Sequence, residues 1–161
     1  MIYRNSKWTR SGRQSGLSLL EVLIAIAVLA IGLLGLVQMQ AFGLMNVERA
    51  YQRSQATVLA YAIADKMRAN LTSLNAYLSD TMAPADAEAQ PDCLTTSGCS
   101  AAELAENDLF EWNSALQSEL PGANGTIALA DGNFTVAIIW DDSGDGIINS
   151  DDPSFNVSFS P

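Results

Sequence analysis

Leu17-Ser18-Leu19-Leu20-Glu21-Val22-Leu23-Ile24-Ala25-Ile26-Ala27-Val28-Leu29-Ala30-Ile31-Gly32-Leu33-Leu34-Gly35-Leu36-Val37 is apolar apart from Ser18 and Glu21. As a helix rising about 1.5 Å per residue it covers roughly 30 Å, the thickness of bilayer hydrocarbon. Arg4, Lys7, Arg10 and Arg13 precede it, and no further cation occurs until Arg49. The positive-inside bias therefore predicts an amino terminus in the cytoplasm and the remainder across the membrane. A secretory signal has a shorter apolar core and a small-residue cleavage site behind it. This run is longer and holds a carboxylate, which costs on the order of 2–3 kcal/mol at mid-bilayer and less near the end.

A charge in that position calls for a partner. Cleavage between Gly16 and Leu17 would place a new α-amino group four residues from Glu21, about 6 Å along a helix. A neighbouring helix displaced along its axis would then bring its own terminus to this carboxylate, neutralising two charges that are each unfavourable alone and setting the stagger between subunits. The plainer alternative is an uncleaved anchor whose Glu21 snorkels to the interface.

Working outward, no proline occurs between Leu17 and Met82, and apolar residues recur at helical spacing through Leu59, Ile63, Met67, Leu71, Leu74 and Leu78. The expectation is one helix of about 60 residues and roughly 90 Å, its first half in the membrane and its second half offering a stripe to a soluble core. Gly32, Gly35 and Gly43 cost about 1 kcal/mol each relative to alanine and are places for local loosening. Beyond a Pro/Ala/Asp-rich connector, Ser100-Ala101-Ala102-Glu103 reads as a capping box. It opens a second helix with Leu109, Trp112, Leu116 and Leu120 on one face, stopped by Pro121-Gly122. Thr126 to Ala130, Phe134 to Trp140 and Phe155 to Phe159 read as strands of an antiparallel meander, the first two joined through Asp131-Gly132. Their alternation puts Ile127, Leu129, Phe134, Val136, Ile138, Trp140, Phe155, Val157 and Phe159 on one face, suited to packing on the long helix.

Gly16-Leu17-Ser18-Leu19-Leu20-Glu21-Val22-Leu23-Ile24-Ala25 resembles the class III signal of type IV prepilins. The resemblance implies that a membrane prepilin peptidase cuts after Gly16 and methylates Leu17, which stands where the family usually has phenylalanine, with Glu21 as the assembly charge. It also implies the α+β type IV pilin-like fold, a long amino-terminal helix packed against a small antiparallel sheet. Gln38 occupies the place where many major pilins carry a kinking proline. Ala64-Asp65-Lys66-Met67-Arg68-Ala69-Asn70, and Asp108-Leu109-Phe110-Glu111-Trp112 through Leu120-Pro121-Gly122, are similar to the minor pilins called PilV, the type IV pilus modification proteins. By themselves Asp65 and Arg68 are an ordinary solvated i,i+3 pair.

Composition narrows the function further. The 161 residues include 8 basic and 18 acidic ones, and loss of residues 1–16 would leave 4 against 18, a formal −14. Such a body repels phosphates, so no nucleic acid contact is expected. There is no histidine, which removes Ser-His-Asp and Cys-His arrangements and argues against a zinc site. Cys93 and Cys99 read as a local disulfide closing a short exported loop, with an entropic contribution of roughly 2 kcal/mol at most, the alternative being two free thiols.

One stretch has recognisable site chemistry. Asp141-Asp142-Ser143-Gly144-Asp145-Gly146-Ile147-Ile148-Asn149-Ser150-Asp151-Asp152 spaces Asp141, Ser143, Asp145, the Ile147 carbonyl, Asn149 and Asp152 much as an EF-hand-type calcium loop does, with Gly146 at the turn. Ser143 and the short Asp152 depart from that pattern, and no helix signal follows. A soluble turn rich in Asp and Gly is the alternative.

The expected organisation is a leader (1–16), the transmembrane and assembly half of the helix (17–37), its soluble half (38–80) and a periplasmic globular part (81–161). The function expected is that of a non-catalytic minor pilin. Its partners would be the prepilin peptidase, other major and minor pilins, the pilus assembly platform, a tip adhesin and the inner membrane. The competing readings are a minor pseudopilin of type II secretion, a membrane-tethered periplasmic enzyme and a tethered calcium-binding module.

Overall fold

The computed structural model describes residues 18–79 and 87–161. Its elements are helix α1 (Leu19–Ala69), a 3-10 segment (Leu71–Tyr77), a short 3-10 turn (Pro91–Leu94), helix α2 (Ala101–Glu119) and strands β1 (Asn124–Ala130), β2 (Asn133–Ile139) and β3 (Ser154–Phe159). The chain divides into two compact units, Met1–Leu44 and Met45–Pro161.

In the first unit the described chain is α1 alone. Leu19, Leu23, Ile26, Leu29, Leu33 and Leu36 are exposed together with the residues between them. A helix apolar on every side has no aqueous face, which is the pattern of a membrane span. Length and composition make α1 the one helix among the described residues able to cross a bilayer. Gly32, Gly35 and Gly43 have open space where a side chain would stand.

The second unit has a conventional core. Ala56, Ala60, Ile63, Ala64 and Met67 of α1 meet Trp112 and Leu116 of α2 and Ile127, Val136, Ile138 and Phe159 of the sheet. The small alanines at i,i+4 spacing let neighbouring elements approach the helix. Trp112 Nε1–H reaches the Leu59 carbonyl at 3.0 Å, and Trp140 Nε1–H reaches Gln52 Oε1 at 3.1 Å. Both indoles therefore bury their rings without orphaning a donor.

The sheet has the order β1-β2-β3 and is antiparallel throughout. Val136 lies between Ile127 and Val157, and Phe134 between Leu129 and Phe159. Asp131 and Gly132 both take positive φ, 52° and 79°, which is the type I′ requirement of a two-residue hairpin. Of the residues expected on the inner face, Leu129 stays exposed beside that turn, and Phe155 and Val157 are half-buried. The capping box forms: Ser100 Oγ accepts from Glu103 N–H at 3.3 Å, and Glu103 Oε2 accepts from Ser100 N–H at 2.7 Å.

The long helix stops earlier than the apolar spacing predicts. It ends at Ala69, and Leu71–Tyr77 continues as a 3-10 segment broken at Ser73. Asn70 is the cause. Its side chain is buried and donates to the Ala101 carbonyl at 2.7 Å and to Tyr77 Oη at 3.3 Å, bonds available only off the helical path. Ser79 then forms a bridge with Ile127 beside β1.

Candidate functional site

Of the processing residues, Gly16 and Leu17 lie outside the described residues, as does the leader before them. Ser18 opens the description: its carbonyl accepts from Glu21 N–H at 3.0 Å and from Val22 N–H at 3.2 Å, closing the first turn of α1. Glu21 stands in that turn, where the unpaired N–H groups and the positive end of the helix dipole favour a carboxylate. It is the only charged residue from Leu19 to Val47. The arrangement provides a single anion at the start of an exposed rod that is apolar from Val22 to Val37, suited to one strong contact with a cation.

The two later blocks singled out in the sequence meet in the second unit. Lys66 Nζ lies 2.9 Å from Asp108 Oδ1 and 2.6 Å from Glu111 Oε2. The other oxygen of Asp108 accepts Tyr77 O–H at 2.6 Å, and Asn107 Nδ2 donates to Glu111 Oε1 at 3.0 Å. Burial, followed by the hydrogen bond to Asp108, pushes the Tyr77 phenol well above its ordinary value. Partial burial pulls the Lys66 ammonium down, but its bonds to Glu111 and Asp108 outweigh this and the net shift is upward. Glu111 moves down, chiefly through its bond to Lys66. Arg68 pairs with Asp65 at 2.7 Å and also lies 4.6 Å from the Phe159 ring centroid, so it ties α1 to β3 as well as pairing locally. The resemblance singled out these blocks, and nothing in the sequence showed that they form one clamp.

Cys93 and Cys99 are joined. Their loop is held to α2 by Gln90, whose backbone N–H donates to Asn107 Oδ1 at 3.0 Å and whose side chain donates to Glu106 Oε2 at 2.8 Å.

In the acidic loop the predicted ligands divide into two local groups. Asp141 is buried and accepts from Gly144 N–H at 2.6 Å, Gly146 N–H at 2.8 Å and Ser143 O–H at 3.0 Å. These bonds, the one from Gly146 foremost, hold its carboxyl below the usual range. Asp145 accepts from Ile147 N–H, Asp152 from Asn149 N–H and Asn149 Oδ1 from Asp151 N–H, each at 2.8 Å. The Ile147 carbonyl faces Asn149 Nδ2 at 3.4 Å. Gly144 and Gly146 take positive φ, as such a tightly wound turn requires. Among the described residues no three His, Cys, Asp or Glu side chains gather as a metal site would. Asp141, Asp145, Asn149 and Asp152 each direct an oxygen at the loop's own backbone, and Arg49 fastens the loop to α1 through Asp142 at 2.9 Å.

Against known families, residues 11–37 match the prokaryotic N-terminal methylation motif, and residues 38–110 match the Tt1218-like family, described as type IV pilin Tt1218. No curated protein and no solved structure matches the chain.

Proposed function

We propose that the chain, which matches the N-terminal methylation motif over residues 11–37 and the Tt1218-like type IV pilin family over residues 38–110, is a pilin-like subunit and, more narrowly, a minor pilin of the PilV kind. Prepilin peptidase cuts it between Gly16 and Leu17 and methylates the new terminus. The apolar half of α1 holds it in the inner membrane, with the amino terminus cytoplasmic and the body periplasmic. From there it is drawn into a type IV pilus or the tip complex that initiates one. The observation that carries this reading is the exposed apolar helix with a lone carboxylate in its first turn. Such a segment is stable in lipid, and on leaving lipid it needs equally apolar neighbours and a cation for Glu21.

The cation we assign is the α-amino group of an adjacent subunit. The body has a packing role, and no step of catalysis is ascribed to it. The acidic loop serves as a self-bonded turn, for which calcium would have to compete with backbone donors.

Co-expression with a prepilin peptidase is expected to shorten the chain by the 16 residues of the leader and add one methyl group to Leu17, both read by mass spectrometry of the intact protein. An uncut product overturns the proposal. Deletion that removes surface pili and spares secretion selects the pilus; the reverse phenotype selects a type II pseudopilus. Glu21→Ala is expected to leave cleavage intact and block incorporation into sheared pili, and normal incorporation refutes the charge pairing.

A further inference from the structure

The apolar run of α1 continues past its first polar residues. Between Val37 and Glu48 the polar side chains are Gln38, Gln40 and Asn46, all uncharged, and they are interspersed with Met39, Phe42, Leu44, Met45 and Val47. Those apolar side chains are exposed, from 51% for Met45 to 77% for Met39. At about 100° per residue, Met39, Val47, Leu44, Met45 and Phe42 fall at roughly 0°, 80°, 140°, 240° and 300° around the helix axis, so every side of the helix is apolar there. Farther on, Gln52, Ala56, Ala60, Ile63 and Met67 share one side of α1 and are buried. The change from all-round to one-sided apolarity falls at Glu48 and Arg49, the first charges after Glu21. A protein surface laid on one side would cover only part of the segment before that point, whereas a surrounding lipid layer covers all of it.

Length decides which part of the lipid this is. Leu19 to Val37 rises about 27 Å, close to the roughly 30 Å of bilayer hydrocarbon, whereas Leu19 to Val47 rises about 42 Å, within the roughly 40–45 Å of a bilayer with its headgroup regions. Fitting the longer run into hydrocarbon alone would need a tilt of about 45°, beyond the roughly 0–40° range of membrane helices. It would also take the amides of Gln38, Gln40 and Asn46 away from water. Left in water, the segment would keep its apolar side chains uncovered on every side. The headgroup layer meets both demands: amides find water and lipid oxygens there, and apolar side chains reach the acyl boundary. Tyr51 stands one turn beyond Val47, half-exposed, its hydroxyl accepting from Gln55 Nε2 at 2.7 Å. An aromatic ring with a polar tip is suited to the outer limit of that layer.

We propose that residues 38–47 are a lipid-binding segment embedded in the periplasmic headgroup layer, and that water begins at Glu48 to Tyr51 rather than at Gln38. Hydrocarbon takes the helix as far as Val37, and phospholipid headgroups surround the next ten residues. The inference rests on the membrane-anchored reading of the chain.

The test is fluorescence quenching of the whole chain in nanodiscs of phosphatidylethanolamine and phosphatidylglycerol, which leave both bilayer faces open to the solution. Gly35→Cys, Gln40→Cys, Asn46→Cys and Val58→Cys each carry one thiol-linked fluorophore, Cys93 and Cys99 remaining joined to each other. All four positions are exposed, so the label displaces no packing. Three quenchers report depth: iodide in water, a nitroxide on the lipid headgroup and a nitroxide deep in the acyl chain. The labels at Gln40 and Asn46 are expected to be quenched by the headgroup nitroxide more than by the acyl one, and by iodide about threefold or more weakly than the label at Val58. Iodide reaching either label as freely as it reaches Val58 overturns the proposal, as does stronger quenching of either by the acyl-chain nitroxide. A label at Gln40 or Asn46 shielded from all three quenchers shows a neighbouring chain there and overturns it as well. Gly35 separates the two levels of the argument. Its label reached by iodide counts against the membrane-anchored reading itself, whereas Gly35 quenched from the acyl chains with Gln40 or Asn46 in water counts against the headgroup placement alone.

Discussion

Asp108→Ala tests the clamp between α1 and α2. Asp108 is buried and serves two donors, Tyr77 O–H at 2.6 Å and Lys66 Nζ at 2.9 Å. Loss of a hydrogen bond to a charged acceptor costs about 1.5–3 kcal/mol, and a buried hydroxyl left without an acceptor falls in the same range. Tyr77 is fully buried, so water cannot substitute. Lys66 is about a third exposed and keeps Glu111, so its share is under about 1 kcal/mol. We expect a loss of about 3 kcal/mol, which for a body of this size lowers the thermal transition by roughly 10 °C. Removal of residues 1–16 leaves Trp112 and Trp140 as the only tryptophans, both in the core, so fluorescence of the processed chain in detergent follows this unit. Tyr77→Phe alone should cost about 1–2 kcal/mol, and the double variant should fall short of the sum by at least about 1 kcal/mol. Effects that add within about 0.5 kcal/mol would refute the coupling.

Three further outcomes follow from the geometry. Gly125→Ala would set a Cβ 2.7 Å from Trp112 Cζ3 and 2.8 Å from Leu116 Cδ1, so a loss of about 1–3 kcal/mol and a changed Trp112 emission are expected; a neutral substitution would show that α2 yields freely. In an alkaline titration followed at 295 nm, Tyr77 should remain protonated beyond the ordinary phenol range. Its raised pKa means that its contribution to stability is complete below the unfolded value near 10 and is lost as pH rises through the folded one, and full early ionisation of all tyrosines would contradict its burial. Calcium at millimolar concentration should leave the melting transition unmoved while the loop oxygens hold their own backbone, and a calcium-dependent rise, removed by Asp141→Asn, would show that they turn to a cation instead.

The membrane-length helix, its single carboxylate, the methylation motif, the capping box and the Asp131-Gly132 hairpin were all legible in the sequence. Each depends on residues near one another in the chain, through period, charge or a local φ requirement. The end of α1 was not legible. Leu71, Leu74 and Leu78 keep helical spacing, and only the fold brings Tyr77 and the Ala101 carbonyl to the Asn70 side chain, making departure from the helix the better satisfied state. The acidic loop divides along the same line. Its oxygen spacing is a property of the chain, but whether those oxygens face a cation or the loop's own N–H groups depends on how the backbone is wound and on Arg49 holding Asp142. Local pattern determined which elements exist and where the membrane-length apolar run lies. Long-range contacts decided where the helix stops and which carboxylates are spent internally.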